Sequence, residues 1–208
     1  MSVLGKLARP VMRPLRQLRH DHLYARSRNS VLRRFACGTV GAEISVWRGA
    51  FSAQILRTVR PKRLHLIDPW KYQTSSEFSR AFFGGAMGKS QQYMDAIHQS
   101  VMEKFHEQIK NGTVDVKRMP SDQAAGEFPD HYLDWIYLDG DHRCEGVLKD
   151  LELYHPKLKS GGVVAGDDYA DAGQWWEDGV IRGVAEAIKH GLYKDLVVNY
   201  NQFILVKQ

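Results

Sequence analysis

The chain has 208 residues, 43% hydrophobic and 25% charged, which is the make-up of an ordinary globular domain and excludes disordered, collagen-like and coiled-coil chains. A chain of this length buries roughly 70% of the surface its unfolded form exposes, so Cys37 and Cys144 are not needed as cross-links. The formal net charge of +5 is unevenly spread: residues 1–35 carry nine basic side chains against the single acid Asp21, which leaves the remainder mildly acidic and makes a nucleic-acid-binding body a poor expectation.

The first 35 residues therefore read as a basic arm ahead of a domain over 36–208. Val3, Leu4, Leu7, Val11, Leu15 and Leu18 give the arm an apolar stripe suited to docking on the body or on a second subunit of a homo-oligomer. Contact with an acidic membrane surface is the alternative. No apolar run of about 18 residues and no secretory leader pattern occur, so a cytoplasmic protein is expected.

Beyond the arm, short apolar runs alternate with segments of helical period. Val40 to Val46 reads as a strand, Ser52 to Val59 as a helix, and Arg63 to Ile67 as a second strand ending at Asp68. The 71–88 stretch is irregular, with Gly84, Gly85 and Gly88. Met94, Ile97, Val101, Phe105 and Ile109 recur at three- and four-residue spacings, which predicts one amphipathic helix over 90–110 with Gly112 as its stop. Strands follow at Thr113 to Lys117 and Leu133 to Leu138, then a helix from Gly146 to Leu158 closed by Gly161 and Gly162. A strand at Val163 to Ala165, a helix from Val180 to His190, and a terminal antiparallel pair over Leu196 to Tyr200 and Gln202 to Val206 complete the chain. The expected fold is α/β: a Rossmann-like, doubly wound, seven-stranded sheet, mostly parallel with a C-terminal antiparallel hairpin.

Open sheets of this kind bind ligands outside the carboxyl ends of their strands, so the residues that follow the strands carry the chemistry. The first strand runs into Ala42-Glu43-Ile44-Ser45-Val46-Trp47-Arg48-Gly49, which is neither a dinucleotide fingerprint nor a phosphate loop. Asp68, closing the second strand, can accept from both hydroxyls of a ribose, or can simply cap the turn before Pro69. Asp139, at the end of the fourth strand, and Asp167 and Asp168, after the fifth, are carboxylates on neighbouring strand ends that repel one another. A hard divalent cation is the usual compensation, and turn capping is the alternative.

With these motifs in place, the stretch from about Gly38 onward resembles the class I S-adenosylmethionine-dependent methyltransferases. IYLDGDHRCEGVLKDLELYHPKLKSGGVVAGDDY resembles the small-molecule O-methyltransferases grouped as methyltransferase domain 24, with the macrolide and aminocoumarin sugar enzymes. The resemblance implies S-adenosylmethionine as cofactor, Glu43 as the acid of the first turn, Gly49 as its closing glycine and Ser45 in place of its first glycine. It implies Asp68 as the ribose acid and Ser121 and Asp122 beside the adenine, with Asp122 alternatively a helix cap before Gln123 and Ala124. It further implies Asp139, Asp167 and Asp168 as ligands of a magnesium-like ion, and a base from the same loop, His142 or Asp141, for the hydroxyl of a sugar, glycoside or phenol-like acceptor. His142 is favoured because an imidazole titrates near neutrality. Trp175 and Trp176, with Phe78, Phe82, Phe83 and Tyr93, are expected to cover the acceptor or to pack as core. Rival readings are a metal-independent enzyme and a non-catalytic binding protein on the same fold. A methyltransferase acting on base amino groups is disfavoured, because Gly166-Asp167-Asp168-Tyr169 stands where an N-P-P-Y-type tetrad would.

Overall fold

Leu133–Leu138 is apolar at five of six positions and buried on both faces, as a central parallel strand requires. The computed structural model, which describes residues 23–81, 83, 90–170 and 175–208, places it at the middle of a seven-stranded sheet. The strands are β1 (Val40–Ile44), β2 (Arg63–Ile67), β3 (Val114–Lys117), β4 (Leu133–Leu138), β5 (Leu158–Gly166), β6 (Tyr193–Asn199) and β7 (Gln202–Lys207). Their order is β3-β2-β1-β4-β5-β7-β6. The first five pair in parallel, and β7 runs antiparallel to both β5 and β6. The order reverses between β1 and β4, which opens a crevice at their carboxyl ends.

The helices are α1 (described over residues 23–32), α2 (Ala50–Thr58), α3 (Gln91–Lys104), α4 (His106–Lys110), α5 (Ser121–Gly126), α6 (Cys144–Tyr154) and α7 (Gly179–Lys189). Each begins or ends where its local chemistry dictates. The Ser90 hydroxyl accepts from the Tyr93 N–H and caps α3. Two apolar layers flank the sheet. One joins Ile136, Leu138, Val147, Leu151, Val184 and Phe203, and the other joins Leu32, Phe51, Ile55, Leu66, Trp135 and Tyr137.

Several boundaries differ from the sequence reading. The helix expected over 90–110 is two helices, broken at Phe105, whose φ of −108° and ψ of 18° leave the helical region; its buried ring lies close beneath Gly49. Gly161 and Gly162 do not follow a helix but lie within β5, where the register against β4 shifts. The helix α5 matches the alternative of a helix at Asp122, Gln123 and Ala124, although it begins at Ser121 and Asp122 lies inside it. The change of largest consequence concerns residues 23–35, read as the end of the basic arm. They join the folded body, with Val31, Leu32 and Phe35 buried and Phe35 stacked 4.2 Å from Trp135. The apolar positions from Val3 to Leu18 lie outside the described residues, as do Phe82, Gly84, Gly85 and Gly88. Cys37 and Cys144 are unbridged. Among the described residues, no helix is long and apolar enough to cross a membrane.

Candidate active site

The turn after β1 is built around Asp68. Its Oδ2 accepts from the Trp47 N–H at 2.9 Å and its Oδ1 from the Trp70 N–H at 2.7 Å, while the Trp70 indole N–H donates to the Trp47 carbonyl at 2.9 Å. This clamp holds Ser45 and Trp47 at φ of 70° and 53°, a region that costs a residue with a Cβ about 1–2 kcal/mol. Ser45 therefore adopts the backbone angle of the glycine whose place it takes, with its N–H donating to the Ile67 carbonyl at 2.8 Å. Strain of this kind persists only where the surroundings over-determine it.

Beside this turn lies a cavity of about 280 Å³, lined by Ser45, Trp47, Asp68, Ser121, Asp122, Gly140 and Asp141 among others. The Val46 N–H also turns toward this carboxylate, and of the roughly four acceptor sites a carboxylate offers, three backbone N–H groups leave about one. Asp68 is only 6% exposed, and burial raises its carboxyl above the usual range, against the pull of the backbone N–H groups. At the far wall, the Asp122 carboxylate, in the first turn of α5, pairs with Lys149 at 2.7 Å and accepts from the Gln123 N–H. The Ser121 hydroxyl donates to Asp150 at 2.6 Å. Asp150, which sequence reasoning missed, is buried beneath this wall, and burial pushes its carboxyl up to about 6. Two residues expected at the cavity are not among those lining it. Glu43 is buried beneath α2 beside Ser52, and burial pushes it up to about 8, while Gly49 spends its left-handed angle on starting α2 beside Phe105.

Across the β4 and β5 ends, a second group of side chains converges. His142 Nδ1 lies 3.3 Å from Asp168 Oδ2 and its Nε2 lies 3.5 Å from Asp139 Oδ1. Burial alone would lower this imidazole, but the Asp139 hydrogen bond and the surrounding carboxylates outweigh it and hold it above its ordinary value. Asp168 is pushed up to about 6, by burial first and by the Asp167 charge second. Asp141 does not share in this group; its two oxygens are taken by the Arg143 guanidinium, at 2.7 to 3.1 Å. Gly179, at the start of α7, lets the helix approach the loop closely, since a Cβ there would overlap the His142 carbonyl.

The expected magnesium site of Asp139, Asp167 and Asp168 is not what the structure assembles. The Arg28 guanidinium of α1 donates to Asp139 Oδ2 at 2.9 Å and to Asp167 Oδ2 at 2.7 Å. The Tyr24 hydroxyl also donates to Asp167 Oδ2. Asp167 Oδ1 accepts from the Asn201 and Gln202 amides, each at 2.6 Å, and from the Asp168 N–H. A carboxylate offers about four lone-pair sites, so Asp167 is saturated by its own chain. The three groups whose ligand atoms do come together are Asp139, His142 and Asp168, and the guanidinium already bonded to Asp139 opposes an added cation beside them. The carboxylate repulsion read from sequence is real, and an arginine compensates it.

The aromatic residues expected near the acceptor form a wall between the two regions. Trp176 meets His142 edge-on at 4.7 Å and Trp175 at 5.6 Å. Trp175 in turn faces Phe78, which packs against Phe83 at 5.5 Å, and both phenylalanines line the cavity. Tyr93 stands apart from this wall, against Trp47 and Arg48. Phe82 lies outside the described residues.

Comparison with known proteins agrees with this fold. A family model for a methyltransferase domain matches residues 42–169. An uncharacterized mimivirus protein from Acanthamoeba polyphaga mimivirus is 34% identical over 59 residues, which are 27% of each chain, so this chain matches about a quarter of that relative's length. The N-methyltransferase NodS from Bradyrhizobium japonicum, solved with S-adenosylhomocysteine, superposes with a TM-score of 0.56 at 14% identity, covering 93% of this chain and 88% of that one. An S-adenosylmethionine-dependent methyltransferase from Aquifex aeolicus gives a TM-score of 0.54 at 14% identity, covering 86% and 88%. At these identities the superpositions speak to fold alone.

Proposed function

This chain belongs to the methyltransferase domain family, and we propose that it is an S-adenosylmethionine-dependent O-methyltransferase acting on a hydroxyl of a small sugar, glycoside or phenol-like acceptor. The observation that carries the reading is Asp68, a buried carboxylate at a parallel strand end, facing a cavity beside a turn strained into glycine-like angles. A ribose hydroxyl suits its remaining acceptor site. Ser121 and Asp122, on the opposite wall, are placed for a polar purine edge. The cofactor, when bound, supplies a methyl group already activated on a sulfonium, so the protein's task is positioning and removal of one proton.

His142 is the base in this reading. For His142 to take the proton of the acceptor hydroxyl, Nε2, buried here against Asp139 Oδ1, must first be uncovered; Asp139 and Asp168, which face its two ring nitrogens, then stabilise the imidazolium that forms. Asp141, bound to Arg143, instead holds the loop that carries His142. The edge-on and tilted rings of Phe78, Phe83, Trp175 and Trp176 form an apolar wall that suits a sugar or planar ring and excludes water beside the base. No divalent cation takes part in this reading, because both Asp167 oxygens and Asp139 Oδ2 already accept from Arg28, Tyr24, Asn201 and Gln202, and the Arg28 charge lies beside the Asp139 and Asp168 oxygens that remain. Isothermal titration with S-adenosylhomocysteine tests the reading: the wild type binds it, and Asp68→Ala abolishes that binding.

A further inference from the structure

The acidic corner at the β4 and β5 ends is a built arginine site. The Arg28 guanidinium bridges the two strand-end carboxylates, with its plane packed on aromatic rings: its carbon lies 4.6 Å from the Tyr24 ring centre, 4.5 Å from Phe51 and 5.8 Å from Tyr137. Tyr24 and Arg28 stand four residues apart on α1, so one helical face presents both to Asp167. The helix is itself seated by Val31, Leu32 and Phe35, all buried. Asp167, 2% exposed at its side chain, gives every acceptor site to protein donors. A hard cation would need several of those oxygens at about 2.0 to 2.6 Å.

We propose that Arg28 is the resident counter-cation of this corner, filling by a fixed guanidinium the place a divalent ion would need, so that the site neither takes up such an ion nor uses one. The proposal deepens the O-methyltransferase reading, on which it rests only for what the corner does in catalysis. Arginine suits the role because it stays charged at every relevant pH and bonds two carboxylates at once through a planar fork. Held this way through its Oδ2, Asp139 keeps its Oδ1 toward His142, and Arg28 acts as a positioning residue through it. An acceptor would then be oriented by the aromatic wall and the imidazole, without chelation of paired hydroxyls.

Manganese(II) is the probe, read by its electron paramagnetic resonance, with S-adenosylhomocysteine calorimetry on the same samples. The wild type is expected to leave Mn2+ free. Arg28→Ala, which exposes the carboxylates, is expected to bind one ion at least tenfold more tightly, and the double variant Arg28→Ala/Asp139→Asn is expected to lose it. One Mn2+ bound by the wild type and lost in Asp139→Asn would overturn the proposal, as would a folded Arg28→Ala that binds none. If Arg28→Ala does not fold, Arg28→Gln takes its place, and the wild-type arm decides exclusion of the ion without any variant. Absence of S-adenosylhomocysteine binding would count against the enzymatic reading alone, because the Mn2+ result stands independently of it.

Discussion

The two acidic regions at the strand ends solve the same electrostatic problem in opposite ways. At β2, Asp68 accepts from backbone N–H groups of Trp47, Trp70 and Val46 and still lines a cavity. At β4 and β5, Asp139 and Asp167 are compensated from within the chain by Arg28, Tyr24, Asn201 and Gln202. The difference teaches that a row of strand-end carboxylates does not by itself imply a bound cation; what decides is how many acceptor sites the fold leaves unused.

The largest effect is expected where the two regions meet the chemistry. His142→Gln should lower turnover about 10²- to 10⁴-fold, the usual contribution of a positioned base, with S-adenosylhomocysteine affinity unchanged by calorimetry. The carboxylates around His142 raise its pKa, so the acid limb of the rate profile should lie above the ordinary imidazole value of 6.5, and the variant should lose that limb. The same shift has a sign for folding: its stabilisation is complete below the unfolded imidazole value and is lost as pH rises through the folded one. Denaturant midpoints of wild type and His142→Gln across that window read this directly.

Arg28→Ala should destabilise the fold by about 3–5 kcal/mol, the cost of leaving a buried carboxylate without its partner, as measured by urea unfolding. A loss under 1 kcal/mol would place the corner on the same footing as the open region. Gly179→Ala should cost about 1–3 kcal/mol by overpacking against the His142 loop, and should slow turnover more than it weakens cofactor-analogue binding. The smallest effect belongs to Asp122→Asn. Its pair with Lys149 is exposed, and such pairs contribute about 0–1 kcal/mol, so any change in S-adenosylhomocysteine affinity above that reports contact with the ligand rather than loss of the pair.

Much of the sheet was legible because its strands are short apolar runs whose ends carry polar punctuation. Arg63 to Ile67 and Leu133 to Leu138 coincide with β2 and β4 to the residue, and Asp68, Asp139 and Asp167 sit at strand ends as read. The helix α5 was legible only as the capping alternative for Asp122, because Ser-Asp-Gln-Ala-Ala-Gly shows no apolar period; its two buried alanines pack without one. Phe105 fitted the helical spacing so well that the break it makes was invisible. Arg28 could not be found from pattern at all. It lies 111 and 139 residues from its partners, in a segment whose basic composition spoke for a solvated arm. The only trace was an aromatic and an arginine four apart beside Val31 and Leu32, which the charge count hid. Asn201 and Gln202 were likewise read only as a turn and the start of a strand.

The central claim is that the cavity beside Asp68 is a cofactor site. Titration of the purified chain with S-adenosylhomocysteine, beside Asp68→Ala and Asp68→Asn, tests it most directly. The account predicts one site in the wild type, weakened about a hundredfold or more in Asp68→Ala, as the loss of charge-assisted hydrogen bonds worth about 1.5–3 kcal/mol each requires. A folded wild type that takes up no S-adenosylhomocysteine, or an Asp68→Ala variant that binds it equally well, would contradict it.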